Sequence, residues 1–123
     1  MILLDTDVLI EHFKENPKIT EKLLSFGFKN LVISIVSVYE MYIGALNKKE
    51  LYKIKRYLDK FPQLIIEKKL SVKAKELIFQ YNLSHTLYIN DALIASTALV
   101  HDFKFYTLNI KDFKFIPGLK LVS

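Results

Sequence analysis

Met1-Ile-Leu-Leu-Asp5-Thr-Asp7-Val-Leu-Ile10 carries two carboxylates and no other charged side chain. Ile2-Leu3-Leu4 is a short continuous apolar run, the pattern of a strand buried on both faces, and Asp5 falls at its end. Strands covered on both faces belong to parallel sheets with helical crossovers, so this stretch points to an α/β fold. An ionised carboxylate in such a place is costly unless a cation or hydrogen-bond donors compensate it. The same anomaly recurs along the chain. Residues 31–46 carry only Glu40, and residues 87–100 carry only Asp91. Asp112, amid Lys111 and Lys114, is a fourth and less isolated acid.

Working outward, helical and extended patterns alternate. Asn16-Pro17 reads as an N-cap followed by proline in the first helical position, opening a helix that stops near Gly27. Leu31-Val32-Ile33 reads as the second strand, residues 63–67 as the third, 103–106 as the fourth and 119–122 as the fifth. Leu51, Ile54, Leu58 and Phe61 share one helical face, while Lys49, Lys53, Arg56 and Lys60 share another. Leu70, Ala74, Leu77, Ile78 and Tyr81 mark a further amphipathic helix, and residues 92–100 a nearly all-apolar one. This alternation predicts one domain over residues 1–123, with a mostly parallel central sheet of about five short strands flanked by helices. In such sheets ligands gather beyond the carboxyl ends of the strands. Asp5 and Asp112 follow strands there, and Glu40 and Asp91 are expected early in helices facing the same edge.

Composition narrows the chemistry. The chain has no cysteine and three histidines, which excludes a disulfide framework, thiolate catalysis and a zinc ribbon. A metal would have to be held by oxygen, which favours Mg²⁺ or Mn²⁺. Net charge is +5, and setting the four acids apart leaves +9 for the remainder. An acidic pocket in a basic body suits a polyanionic substrate handled with cations. Uncharged stretches reach only about nine residues, half of what a membrane-spanning helix needs, so a soluble, cytoplasmic protein is expected. Hydrophobic residues make up 51%, leaving apolar surface for a partner or a second copy, expected on helices within residues 17–61.

Each acid also has a purely structural reading. Ser37 and Glu40 fit a capping box, Asp91 can complement a helix dipole, Asp5 and Asp7 can cap the first helix, and Asp112 can be an ordinary loop acid. Caps are usually solvated, however, and three of these acids sit within apolar runs.

Four segments together resemble the PIN-domain family: Asp5-Thr-Asp-Val-Leu-Ile, Ser34 through Gly44, Asn90-Asp91-Ala-Leu-Ile-Ala-Ser-Thr-Ala-Leu, and Tyr106-Thr107-Leu-Asn109-Ile-Lys-Asp112-Phe113. The likeness is greatest to the small stand-alone toxins of the VapC type. It implies a three-layer PIN-like fold and a Mg²⁺- or Mn²⁺-dependent endoribonuclease. It also implies a homodimer and inhibition by a VapB-like antitoxin protein. By that likeness Asp5, Glu40 and Asp91 are catalytic, metal-site acids, with Asp112 or Asn109 as a fourth ligand and Thr6, Asp7 and Thr107 in support. Two positions depart from the family pattern. Asn109 stands where aspartate is frequent, and Asp7 where asparagine or serine is common. Lys49, Lys53, Arg56 and Lys60 form a candidate track for RNA.

Two other classes fit parts of the chain. Asp5-Thr-Asp7 resembles the nucleophile pair of haloacid-dehalogenase-like phosphatases, but Val8 and Leu9 replace the usual glycine and threonine. A PIN-fold module that binds RNA or protein without turnover is the third reading. A receiver domain would want an acid ending a central strand, whereas Asp59 lies in a helical segment.

Overall fold

The computed structural model describes residues 1–122. Its five strands form one wholly parallel sheet in the order β3-β2-β1-β4-β5. These are β1 (Ile2–Leu4), β2 (Leu31–Ser34), β3 (Gln63–Leu64), β4 (Lys104–Tyr106) and β5 (Lys120–Leu121). The opening run occupies the centre, with Leu3 opposite both Val32 and Phe105. Chain order reverses at β1, because β2 and β3 build out on one side and β4 and β5 on the other. Such a switch point opens a crevice beyond the strand ends.

Side-chain alternation along the strands divides the core into two layers. Leu3, Val32 and Phe105 pack with Ala74, Leu77, Ala92 and Ala95 from α5 (Lys68–His85) and α6 (Ile89–His101). Leu4 and Ile33 pack on the other face with Leu9, Leu23, Ile54 and Leu58. Those come from α1 (Thr6–Phe13), α2 (Pro17–Phe26) and α4 (Lys48–Leu58), while α3 (Ile35–Ile43) sends Val36 to one layer and Val38 to the other. Leu3 and Leu4 are fully buried, and each contributes about 2 kcal/mol of apolar burial. Among the described residues, no helix is long and apolar enough to cross a membrane.

The expected strands and helices are present, with local differences. Asn16 caps α2 by accepting from the Lys18 N–H, Pro17 takes the first position, and Gly27 ends the helix at φ +85°. The third strand covers only Gln63–Leu64 instead of 63–67, because the parallel pairing with β2 extends no further. α4 stops at Leu58 with Asp59 as its C-cap, so Lys60 lies in the turn beyond the helix that carries Lys49, Lys53 and Arg56. Exposed apolar side chains occur within 17–61, at Leu24, Ile43 and Leu46. The most exposed, however, lie outside that span on α5, where Phe79 is 92% and Leu83 100% accessible.

Candidate active site

The site grows from the end of β1. Asp5 continues the sheet, its N–H donating to the Tyr106 carbonyl at 2.9 Å, and then leaves strand geometry to become the N-cap of α1. Its Oδ1 accepts the Thr6 N–H at 2.8 Å and its Oδ2 the Thr107 hydroxyl at 2.7 Å. Capping and site chemistry are therefore two uses of one carboxylate. Asp5 is only 6% accessible. Burial, then the negative charge of Asp7, pushes its pKa to about 7 against hydrogen bonds that favour the charged form.

Thr6 ties the first helix to the third. Its hydroxyl donates to Glu40 Oε1 at 2.7 Å and lies 2.8 Å from Ser37 Oγ. A threonine hydroxyl has one proton, so with that proton on the carboxylate the Ser37 hydroxyl donates to Thr6. The capping box at Ser37 and Glu40 does not form. Ser34 caps α3 instead, accepting from the Val36 N–H at 3.0 Å, and Glu40 sits too far along the helix to reach back. Glu40 Oε2 accepts from the Asn90 side chain at 3.3 Å, which joins α3 to the start of α6. Asp91 lies in the first turn of α6. Burial raises its pKa to about 6, with the charges of Glu40, Asp112 and Asp7 adding to the effect.

Asp7 faces the loop after β4. Its Oδ2 accepts the Leu108 N–H at 3.1 Å and stands 3.5 Å from the Thr107 hydroxyl, while its Oδ1 is buried without a donor. Burial raises its pKa as well. Asp112 ends a short 3₁₀ turn, Ile110–Asp112, and is exposed, yet its charge is felt at Asp91. Asn109 is exposed and joins the cluster through its backbone, its N–H donating to Thr107 Oγ1 at 3.0 Å. The structure thus brings Asp5, Asp7, Glu40, Asp91 and Asp112 to one edge, with Thr6 and Thr107 between them. Lys49, Lys53, Arg56 and Lys60 are exposed elsewhere, on α4 and the turn beyond it.

Ser37 and Asn90 are members of this network that sequence reasoning did not assign. Ser37 precedes Glu40 by three residues and therefore shares its helix face, which was the available signal. Asn90 adjoins Asp91, and only the packing of α6 against α3 gives it a partner.

The fit to a divalent cation rests on charge and donor type. Several hard oxygens crowd one edge, burial and then neighbouring negative charge hold the protons of Asp5 and Asp91, and one buried oxygen, Asp7 Oδ1, lacks a donor. Among the described residues, no three acids or histidines already stand in a coordination arrangement. Carboxylate rotation or bridging water would complete it, as suits an ion that keeps several waters.

Comparison with known proteins identifies the family. The profile of the PIN domain family matches residues 2–117. Ribonuclease VapC10 of Mycobacterium tuberculosis is 34% identical over 122 residues, spanning 98% of this chain and 91% of the relative. Ribonuclease VapC of Rickettsia bellii is 27% identical over 132 residues, spanning 99% and 95%. A toxin-antitoxin complex from Klebsiella pneumoniae superposes with TM-score 0.83 at 26% identity, covering 100% of this chain and 97% of that one. VapBC2 from Rickettsia felis, bound to a DNA fragment from its promoter, superposes with TM-score 0.84 at 26% identity, covering 99% and 98%. With a profile match over nearly its whole length and a relative of 34% identity, the chain belongs to the PIN domain family.

Proposed function

We propose that the chain is an endoribonuclease, the toxin of a VapBC-type pair, and that it cuts RNA with Mg²⁺ or Mn²⁺. The observation that carries this reading is the convergence of four acids, Asp5, Glu40, Asp91 and Asp112, at the switch-point edge of a PIN-family sheet. Asp5, Glu40 and Asp91 would hold the ion. Asp112 rather than Asn109 would be the fourth ligand, because its charge acts on Asp91 whereas Asn109 reaches the cluster through its backbone. A bound divalent cation supplies Lewis acidity and water of lowered pKa.

The residues supply position. The Thr6 N–H and the Thr107 hydroxyl fix both oxygens of Asp5, and Thr6 and Asn90 fix both oxygens of Glu40. These bonds restrain Asp5 and Glu40, leaving carboxylate rotation or a bridging water to complete the coordination. In the hydrolysis a water oxygen adds to phosphorus and its proton passes to solvent, while the P–O3′ bond breaks and the departing O3′ takes a proton from solvent. The products are a 5′-phosphate and a 3′-hydroxyl. Purified protein is expected to cut RNA with Mg²⁺ or Mn²⁺ and to stop when the metal is chelated; cleavage that survives chelation contradicts the proposal.

Lys49, Lys53, Arg56 and Lys60 serve as the RNA track. Replacing one of them with alanine should reduce the salt dependence of RNA binding by nearly one unit of log–log slope, and an unchanged slope assigns that side chain to solvent. A VapB-like antitoxin is the proposed partner, supported by the toxin-antitoxin complexes among the structural neighbours. A groove of about 350 Å³ lined by Ile10, Phe13, Met41 and Ile54 reaches Glu40 and would seat it. A second copy of the chain is the proposed cover for Phe79 and Leu83. Phosphatase chemistry through Asp5 is disfavoured, because Val8 and Leu9 stand where the glycine and threonine that follow such a nucleophile pair are usual.

A further inference from the structure

We infer that Asp7 is a positioning residue that latches the loop after β4 onto α1 and thereby sets the place of Asp112 beside Asp91. The latch is the 3.1 Å bond from the Leu108 N–H to Asp7 Oδ2, made across about a hundred positions of sequence. Leu108 itself is exposed. On its far side the loop is anchored at Phe113, which is buried edge-on against Phe105 with ring centroids 4.9 Å apart. Thr107, where the loop leaves β4, is buried and tied to Asp5; from Leu108 to Phe113, among the described residues, the remaining bonds run within the loop. The Asn109 N–H goes to Thr107 Oγ1, the Asp112 N–H to the Asn109 carbonyl and the Phe113 N–H to the Ile110 carbonyl. The 3₁₀ turn therefore moves as a unit, and Asp112 rides on it.

A carboxylate at position 7 is an expensive latch. It stands beside the buried Asp5, its charge opposes that of Asp5, and its second oxygen finds no donor. What it offers in return is a charge-assisted bond to a backbone N–H, stronger than a neutral acceptor makes. The arrangement gives Asp7 a role separate from ligation. This inference rests on the proposed metal site for its second readout and not for its first.

The test compares Asp7→Ala, Asp7→Asn, Asp112→Ala and the Asp7→Ala/Asp112→Ala pair. The first readout is amide hydrogen exchange in the metal-free protein. Asp7→Ala should speed exchange at Leu108 and Asn109 at least tenfold while leaving β1 and β2 unchanged; Asp7→Asn, which keeps an acceptor oxygen, should retain most of the protection. The second readout is calorimetric titration with Mn²⁺ alone. Asp7→Ala and Asp112→Ala should each weaken binding about tenfold, and the double variant no more than either. Unchanged exchange at Leu108 in Asp7→Ala, or losses that multiply in the double variant, would overturn the inference. If the wild type binds no Mn²⁺, the metal-site reading fails, while the exchange result still decides the latch.

Discussion

Asp5→Asn and Asp91→Asn are each expected to lower metal-dependent RNA cleavage by at least about 10³-fold, roughly 4 kcal/mol of transition-state stabilisation. The same Asp5→Asn change should make the metal-free protein more stable near neutral pH, by about 1–2 kcal/mol. The reason is local. Asp5 is buried beside Asp7, and its hydrogen bonds from Thr6 and Thr107 do not offset the loss of water and the neighbouring charge. Asparagine keeps the Thr6 N–H on its carbonyl oxygen, turns its NH₂ to the Thr107 hydroxyl, which then accepts, and removes the repulsion. Activity assays paired with thermal melts read both effects. A variant that loses cleavage because it unfolds would melt lower, not higher, and a variant that cleaves normally contradicts the assignment.

The stability of the metal-free protein should fall as pH rises from about 4 to about 7. In the fold Asp5 holds its proton to about pH 7 and Asp91 to about 6, against an ordinary carboxyl value of 3.8. Between those limits the folded state binds more protons than the unfolded chain, so stability decreases with pH. The contribution is complete below 3.8 and is lost as pH passes through 7. His12 works in the opposite sense. Its burial lowers the imidazole pKa, giving stability that is present above about 6.5 and lost as pH falls. Subtracting the Asp5→Asn profile from the wild-type profile cancels His12 and isolates the carboxylate. Saturating Mn²⁺ should raise the melting temperature more at pH 8 than at pH 5, because protons compete for the same oxygens. A difference profile that is flat from pH 4 to 7 would refute the electrostatic account.

The acids were legible in the sequence because burial and charge conflict openly at Asp5, Glu40 and Asp91. No ordinary surface reading accounts for a lone carboxylate in a long apolar run. The strand order was not readable, since it depends on which edge each crossover returns to; the parallel sheet was, because Ile2-Leu3-Leu4 lacks the alternation of a half-exposed strand. Boundaries failed where pairing, rather than composition, sets the limit. Ile65 and Ile66 look like strand residues, yet β3 ends at Leu64. Ser37 could be read as a cap because its spacing to Glu40 fits a capping box; Ser34 takes that position, and the partner of Ser37 is Thr6, thirty-one residues earlier. Asp7 showed itself as an extra acid, but its partner Leu108 offers a backbone N–H, a group that every non-proline residue carries and no sequence pattern marks.

The central claim is that these carboxylates form one divalent-metal site. Titrating the metal-free wild type and Asp91→Asn with Mn²⁺ by calorimetry, in two buffers of different ionisation enthalpy, tests it most directly. The wild type should bind near pH 6.5 with release of protons, and Asp91→Asn should bind at least tenfold more weakly with fewer protons released. Equal affinity in both proteins, or binding without proton release, would contradict the claim.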